Sequence, residues 1–183
     1  AGNFVEWFDW FAYASFALYF SRAFFPAGDQ TAQLLNTAFV FAGGFLVRPL
    51  GALFFGTYAD RVGRRAALTL SVALMCGGSL LIAVTPTGLG VLSPTLLVLA
   101  RLMQGLAVGG EYGASATYVS EMANRERRGF WSGFLYVTLI GGQLAAMSLQ
   151  VLLQRSLSEE AMYAWGWRIP FAIGAALAVV VFW

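Results

Sequence analysis

The sequence predicts an all-α membrane protein with six transmembrane helices. Three observations carry that reading: the composition, the length of the apolar runs, and where the arginines fall. Of 183 residues, 59 % are hydrophobic and only 11 % are charged, whereas soluble domains run near 25 % charged. Mean hydropathy is +0.70. Six apolar segments can be drawn, at residues 3–25, 34–58, 66–85, 94–121, 129–153 and 165–183, each near the ~20 residues that cross a hydrocarbon core as a helix. Turn signals separate them, such as Pro26-Ala-Gly-Asp and Pro86–Gly90. Backbone groups in lipid must be satisfied internally, so such segments are helices. The alternation over ~10 residues that marks a membrane barrel is absent.

All eleven cations are arginine, and there is no histidine. Arg61, Arg64, Arg65, Arg125, Arg127 and Arg128 sit in the second and fourth loops. The positive-inside rule places those loops, and both ends of the chain, in the cytoplasm. Trp165 and Trp167 then lie at the outer interface, where indoles anchor helices. The chain starts without methionine and stops within an apolar run, so it is expected to be part of a longer protein.

The first segment places Asn3, Glu6, Asp9 and Tyr13 on one helical stripe. Glu6 reads either as an interfacial acid near a helix start or as a functional carboxylate. Asp9 lies deeper and is expected to be functional. In the second segment Arg48 is near the centre, too deep to snorkel easily to either surface. Pro49 follows and removes a backbone donor, so a kink or local opening is expected there. Arg48 therefore either holds a carboxylate of Asp9 or Glu111 or receives an anionic substrate. The second loop, GTYADRVGRR, packs an acid and three arginines into a tight turn. The third segment carries no charge and reads as a lipid-facing wall, with Gly77-Gly78-Ser79 used for packing.

The fourth segment is the richest. Arg101, Gln104, Val108, Glu111 and Ser115 fall on or beside one stripe, and glycines at 105, 109, 110 and 113 admit a close neighbour. A charge at the bilayer centre costs roughly 2.5–3.5 kcal/mol on insertion scales, so such residues usually face a polar cavity. Arg101 and Glu111 are too far apart along a helix, about 15 Å, to pair with each other. The fifth segment has a second stripe of Ser132, Tyr136, Gln143 and Gln150, which serves either a cavity or interhelical contact. The sixth is apolar apart from Arg168 at its outer end. The polar load falls on segments one, two, four and five and spares three and six, a pattern that suits two three-helix inverted repeats.

Several function classes are excluded. Without histidine there is no Ser–His site, and neither a zinc motif nor a phosphate-binding Gly-Lys-Ser/Thr loop is present. No enzyme activity, metal or cofactor is expected. The net charge of +2 gives no basic footprint for nucleic acid. A single cysteine, Cys76, excludes an internal disulfide.

GTYADRVGRR resembles the signature loop between helices 2 and 3 of the major facilitator superfamily, with Gly56, Asp60, Arg61, Gly63, Arg64 and Arg65 in register. ARLMQG is similar to its helix-4 motif. GNFVEWFDWFAY, FLVRPLGALFFG, GGEYGASATYVSE, YVTLIGGQL and WGWRIPFAIGAALAVV resemble its metabolite:proton symporter branch. The resemblance covers residues 1–183 and implies the amino-terminal six-helix half of a twelve-helix transporter in a bacterial inner membrane, whose carboxy-terminal half is its partner. Gly141-Gly142 replaces the Gly-Pro of the family's antiporters, which argues against a drug exporter. The implied activity is alternating-access symport of protons with a small organic anion, a dicarboxylate such as α-ketoglutarate. A zwitterionic osmolyte (proline or betaine), citrate or shikimate are the alternatives, and a passive channel is a more distant one. Gly56–Arg65 is the implied conformational latch, with its last arginines meeting Glu121. Arg48 and Arg101 are expected as substrate anchors, since a guanidinium can hold a carboxylate through two hydrogen bonds. Tyr112, Tyr136 and Gln143 would orient the substrate. Asp9, Glu111 and Glu6 are the proton-coupling candidates, because burial favours a protonated carboxyl and a nearby arginine opposes it.

Overall fold

A computed structural model describes the backbone of residues 2–122 and 128–182, and side chains at 2–110, 133–134 and 136–177. Seven helices follow one another: α1 (Gly2–Phe24), α2 (Gln30–Val62), α3 (Arg64–Val84), α4 (Leu92–Met122), α5 (Arg128–Ser156), the short α6 (Glu159–Ala161) and α7 (Arg168–Phe182). A π-helical turn, Met162–Gly166, precedes α7. No strand occurs among the described residues. By length and composition, α2, α3, the Leu92–Gly110 part of α4 and the Tyr136–Ser156 part of α5 can each cross a membrane. α1 has 23 residues, enough to span at 1.5 Å per residue.

The packing is dictated by small residues. Without a hydrophobic drive between helices in lipid, close backbone approach supplies the contact energy. α4 lies along α2 and α3, α1 along α5, and α3 along α7. A Cβ at Gly105 would land on the Gly44 carbonyl, one at Gly109 on the Arg48 carbonyl, and one at Gly51 on the Leu106 carbonyl. Across α1 and α5, a Cβ at Gly142 would sit 2.7 Å from the Phe4 carbonyl oxygen. An aromatic core that includes Tyr13, Phe16, Phe20, Phe24, Trp167 and Phe171 fills the bundle between α1 and α7.

Turn chemistry follows the sequence. Asp29 caps α2, its carboxylate accepting the Ala32 N–H at 2.9 Å. Gly63 joins α2 to α3 at φ 109°, a backbone state that favours glycine. α2 is unbroken at Pro49 and reaches Val62, beyond the expected 34–58. The last span departs from the expected single helix over 165–183. Gly166 leaves only 3.0–3.1 Å between a would-be Cβ and the Met162 and Leu157 side chains. That tight turn seats Trp167 fully inside the core.

The outer surface of α2 is strongly apolar: Phe39 is 73 % exposed, Leu46 79 % and Leu53 69 %. In water such a face would be a liability, and against hydrocarbon or a further apolar unit it is not.

Candidate functional site: a sealed polar cluster beside an arginine recess

Asp9, on α1, is fully buried. Its Oδ2 accepts from Arg101 Nη1 at 3.1 Å and from Gln104 Nε2 at 2.8 Å, both on α4. Its Oδ1 accepts from the Ser79 hydroxyl on α3. Gln104 Oε1 in turn accepts from Arg101 Nη1, and Gln104 Nε2 lies 3.0 Å from Ser79 Oγ. Three helices thus converge on one carboxylate through paired, hydrogen-bonded contacts, the condition under which a buried charge is tolerated. The Arg101 guanidinium lies over the Tyr13 ring at 3.7 Å and near Trp10 at 4.8 Å, while its Nε and Nη2 have no hydrogen-bond partner. Tyr13 is tied down by its hydroxyl, which donates to the Thr37 carbonyl at 3.0 Å.

Arg48, half-buried on α2, also lies against Trp10. Its guanidinium sits 4.4 Å from the Trp10 ring and 3.9 Å from Phe45. Its Nε and Nη2 are buried without a hydrogen-bond partner. Arg48 lines a recess of about 540 Å³ together with Glu6, Trp7, Pro49, Val108 and Leu139. Helices α1, α2, α4 and α5 all contribute, and these are the four on which the sequence places the polar load.

The expected site residues therefore divide. Arg48 and Glu6 face the recess. Asp9 and Arg101 are held away from it and pair with each other, so Arg48 is not the partner of Asp9 here. Arg101, expected as a substrate anchor, is 0 % exposed. Tyr136 is 66 % exposed and Gln143 half-buried on α5, and neither lines the recess. Gln150, on the same stripe, serves as interhelical glue: its amide donates to the Ser15 carbonyl at 2.9 Å. The side chains of Glu111, Tyr112 and Glu121 lie outside the described residues.

One expectation changes. The third segment is not a plain wall, because Ser79 delivers a hydroxyl into the cluster. Gly78 beside it matters too, since a Cβ there would press 2.6 Å from Gln104 Cγ. In the sixth segment Arg168, the charge set apart there, donates from Nη1 to the Ala83 carbonyl at 2.6 Å and covers Trp167 at 4.6 Å. Trp10 is the other residue the sequence reading missed. One signal was available: it follows Asp9 directly.

At the α2–α3 turn, Gly56, Asp60 and Arg64 line a cleft of about 240 Å³ with Gly109 and Gly110 of α4. Arg61, Gly63 and Arg65 are exposed around it, and the Gly63 N–H closes α2 on the Ala59 carbonyl at 2.9 Å.

Comparison with known proteins fits this geometry. The sequence matches the sugar (and other) transporter family over residues 1–183. It is 56 % identical to the alpha-ketoglutarate permease of Escherichia coli (strain K12), covering all of this chain and 43 % of that protein. It is 40 % identical to a citrate-proton symporter of Salmonella typhi, again over the whole chain and 42 % of the relative. The xylose transporter XylE from E. coli, in a partially occluded inward-open conformation, superposes with a TM-score of 0.86 at 21 % identity, over 98 % of this chain and 44 % of that one. The chain thus spans less than half the length of the relatives it matches.

Proposed function

Because the chain belongs to the sugar (and other) transporter family of the major facilitator superfamily, a family of transporters and not enzymes, we propose that it is the amino-terminal half of a proton-coupled symporter for small organic anions, a dicarboxylate such as α-ketoglutarate. The observation that carries the reading is Arg48. A half-buried guanidinium with two nitrogens lacking partners, in an aromatic-walled recess, is suited to an oxyanion such as a carboxylate. Arg101 is given a different task from the one its sequence position suggests. Sealed against Asp9, it sets the carboxylate that takes up the proton, while Arg48 anchors the substrate. Glu6 and Glu111 remain further candidates for the coupling step. Tyr112, Tyr136 and Gln143 would orient the anion once the second half closes over the recess, as sites in these folds lie between two repeats. The exposed apolar face of α2 and the tip of α5 would meet that half. Gly56–Arg65, with Glu121, would latch the cytoplasmic side, and both ends of this segment would lie in the cytoplasm of the inner membrane.

The test is uptake of labelled α-ketoglutarate into proteoliposomes holding the full-length transporter, driven by a pH gradient. Competition by citrate, shikimate and betaine ranks the substrate classes. Accumulation abolished by a protonophore, competition by dicarboxylates and none by betaine are expected. Betaine competing as strongly as α-ketoglutarate would replace the anion with a zwitterion. Flux that only runs downhill would replace symport with passive conduction.

A further inference from the structure

We propose that Ser79 is the group that lets Asp9 hold a proton inside the sealed cluster, by reversing the direction of its hydrogen bond. The inference rests on the proposed role of Asp9 and names a positioning residue for it. When ionised, Asp9 receives three donors: Ser79 Oγ on Oδ1, and Arg101 Nη1 and Gln104 Nε2 on Oδ2. A neutral carboxyl carries one O–H that needs an acceptor. On Oδ2 that proton would face two N–H donors. Arg101 cannot accept at all. The Gln104 amide is oriented by Arg101, whose Nη1 donates to Oε1, so its N–H side is the one turned to Asp9. Only Oδ1 is left, and its partner is a hydroxyl, which can give or receive.

The hydroxyl also has somewhere to turn. Ser79 Oγ lies 3.3 Å from the Met75 carbonyl one helical turn back. When a proton from the medium bonds to Asp9 Oδ1, the Ser79 O–H rotates to the Met75 oxygen and its lone pair accepts the new carboxyl proton. Ser79 keeps its own proton throughout, no covalent bond breaks, and the cluster gains one positive charge. Gln104 Nε2, 3.0 Å away, donates to the same oxygen in both states. Gly174 of α7 keeps the space open: a Cβ there would stand 3.3 Å from Asp9 Oδ1 and 3.4 Å from Ser79 Oγ. The groups facing Asp9 are Arg101 and Gln104 from α4, Ser79 from α3 and Gly174 from α7, with Tyr13 on α1 stacked under Arg101 and Arg48 of α2 against Trp10. Arg101 is the one charged group bonded to it among the described residues.

The experiment uses the full-length transporter in proteoliposomes and measures two things: substrate counterflow, which needs no net proton movement, and accumulation driven by a pH gradient across a range of external pH. Counterflow of Ser79→Ala, read beside that of the parent, reports folding and substrate exchange independently of proton coupling. The Ser79→Ala pH of half-maximal accumulation should move toward alkali by about one unit, the surplus of the charge-assisted bond given to the ionised carboxylate over the bond accepted from the neutral acid; a shift of about two units or more would mean that the hydroxyl serves the ionised form alone and overturns the reversal. Ser79→Gly, which also lacks the hydroxyl and adds no bulk, should show the same shift and serves if the alanine variant does not fold. In an Asp9→Asn background, Ser79→Ala should leave counterflow where Asp9→Asn alone leaves it. A parental pH profile in either hydroxyl-less variant overturns the role of Ser79. Accumulation that survives Asp9→Asn overturns the parent reading instead, so the two failures are distinguishable.

Discussion

Replacing Arg101 by methionine removes the one cation bonded to Asp9 and keeps most of the side-chain volume. Asp9 would then keep only Ser79 and Gln104 as partners at zero exposure. Breaking one side of a buried pair costs about 3–5 kcal/mol, because a charge is left without compensation. At roughly 1 °C per kcal/mol for a full-length protein more than twice the length of this chain, the melting temperature should fall by about 3–6 °C. The decisive comparison is the double variant Asp9→Asn with Arg101→Met. Removing both charges leaves nothing uncompensated, and such replacements are often near neutral. The double variant should therefore melt above Arg101→Met alone. Thermal unfolding of the full-length protein in detergent, followed by tryptophan fluorescence, reads all three. Losses that simply add, or an Arg101→Met variant within about 2 °C of the parent, would refute the coupling of these two residues.

Arg48→Ala should raise the dissociation constant for a dicarboxylate by roughly ten- to hundredfold, the loss of about 1.5–3 kcal/mol of charge-assisted hydrogen bonding, and should leave the melting temperature nearly unchanged; equilibrium binding by calorimetry checks it. Gly105→Ala should destabilise by about 1–3 kcal/mol through overpacking, because its Cβ meets the Gly44 carbonyl, whereas Gly43→Ala, with open space around it, should be silent in the same melt. Gln150→Ala should cost about 1 kcal/mol through the lost bond to Ser15 without altering the pH profile of uptake. Asp9→Asn should abolish accumulation under a pH gradient while substrate binding persists.

Much of the fold was legible because the bilayer leaves few choices. Apolar length fixes the spans, and the glycines of α4 mark a face that a neighbouring helix can approach closely. The individual charges on α1, α2 and α4 were equally visible. Their pairing was not. Helical periodicity places a residue on a face of its own helix and says nothing about which neighbour that face meets, so Arg48 reads as the holder of Asp9 or Glu111, and both Arg48 and Arg101 as substrate anchors. The structure resolves the choice through packing: Gly78 lets α4 close on α3 against Gln104, and that contact carries Arg101 to Asp9. Ser79 escaped for a related reason. Serine carries no charge and often only bonds back to its own helix, as Ser71 does to the Leu68 carbonyl. Its second contact depends on a residue 70 positions away.

Trp10 is where the two halves of the proposed mechanism meet. The Arg48 and Arg101 guanidinium carbons lie 4.4 and 4.8 Å from its ring centre, so they are within about 9 Å of each other, where unit charges interact by about 2 kcal/mol at an effective dielectric near 20. Glu6, Asp9, Arg48 and Arg101 together sum to zero when all are ionised. A carboxylate arriving on Arg48 makes that group of charges negative and weakens the positive field at Asp9. A proton on Asp9 offsets one of the two negative charges that a dicarboxylate brings. A zwitterion with its charges side by side would leave the balance unaltered and give Asp9 little cause to take up a proton. Dependence of proton uptake on substrate charge, measured as pH change in a weakly buffered suspension on adding a dicarboxylate or betaine, follows from this arrangement. It should vanish in Arg48→Gln even at substrate concentrations that restore occupancy; a full proton signal in that variant would show that the anion acts on Asp9 by some route other than Arg48.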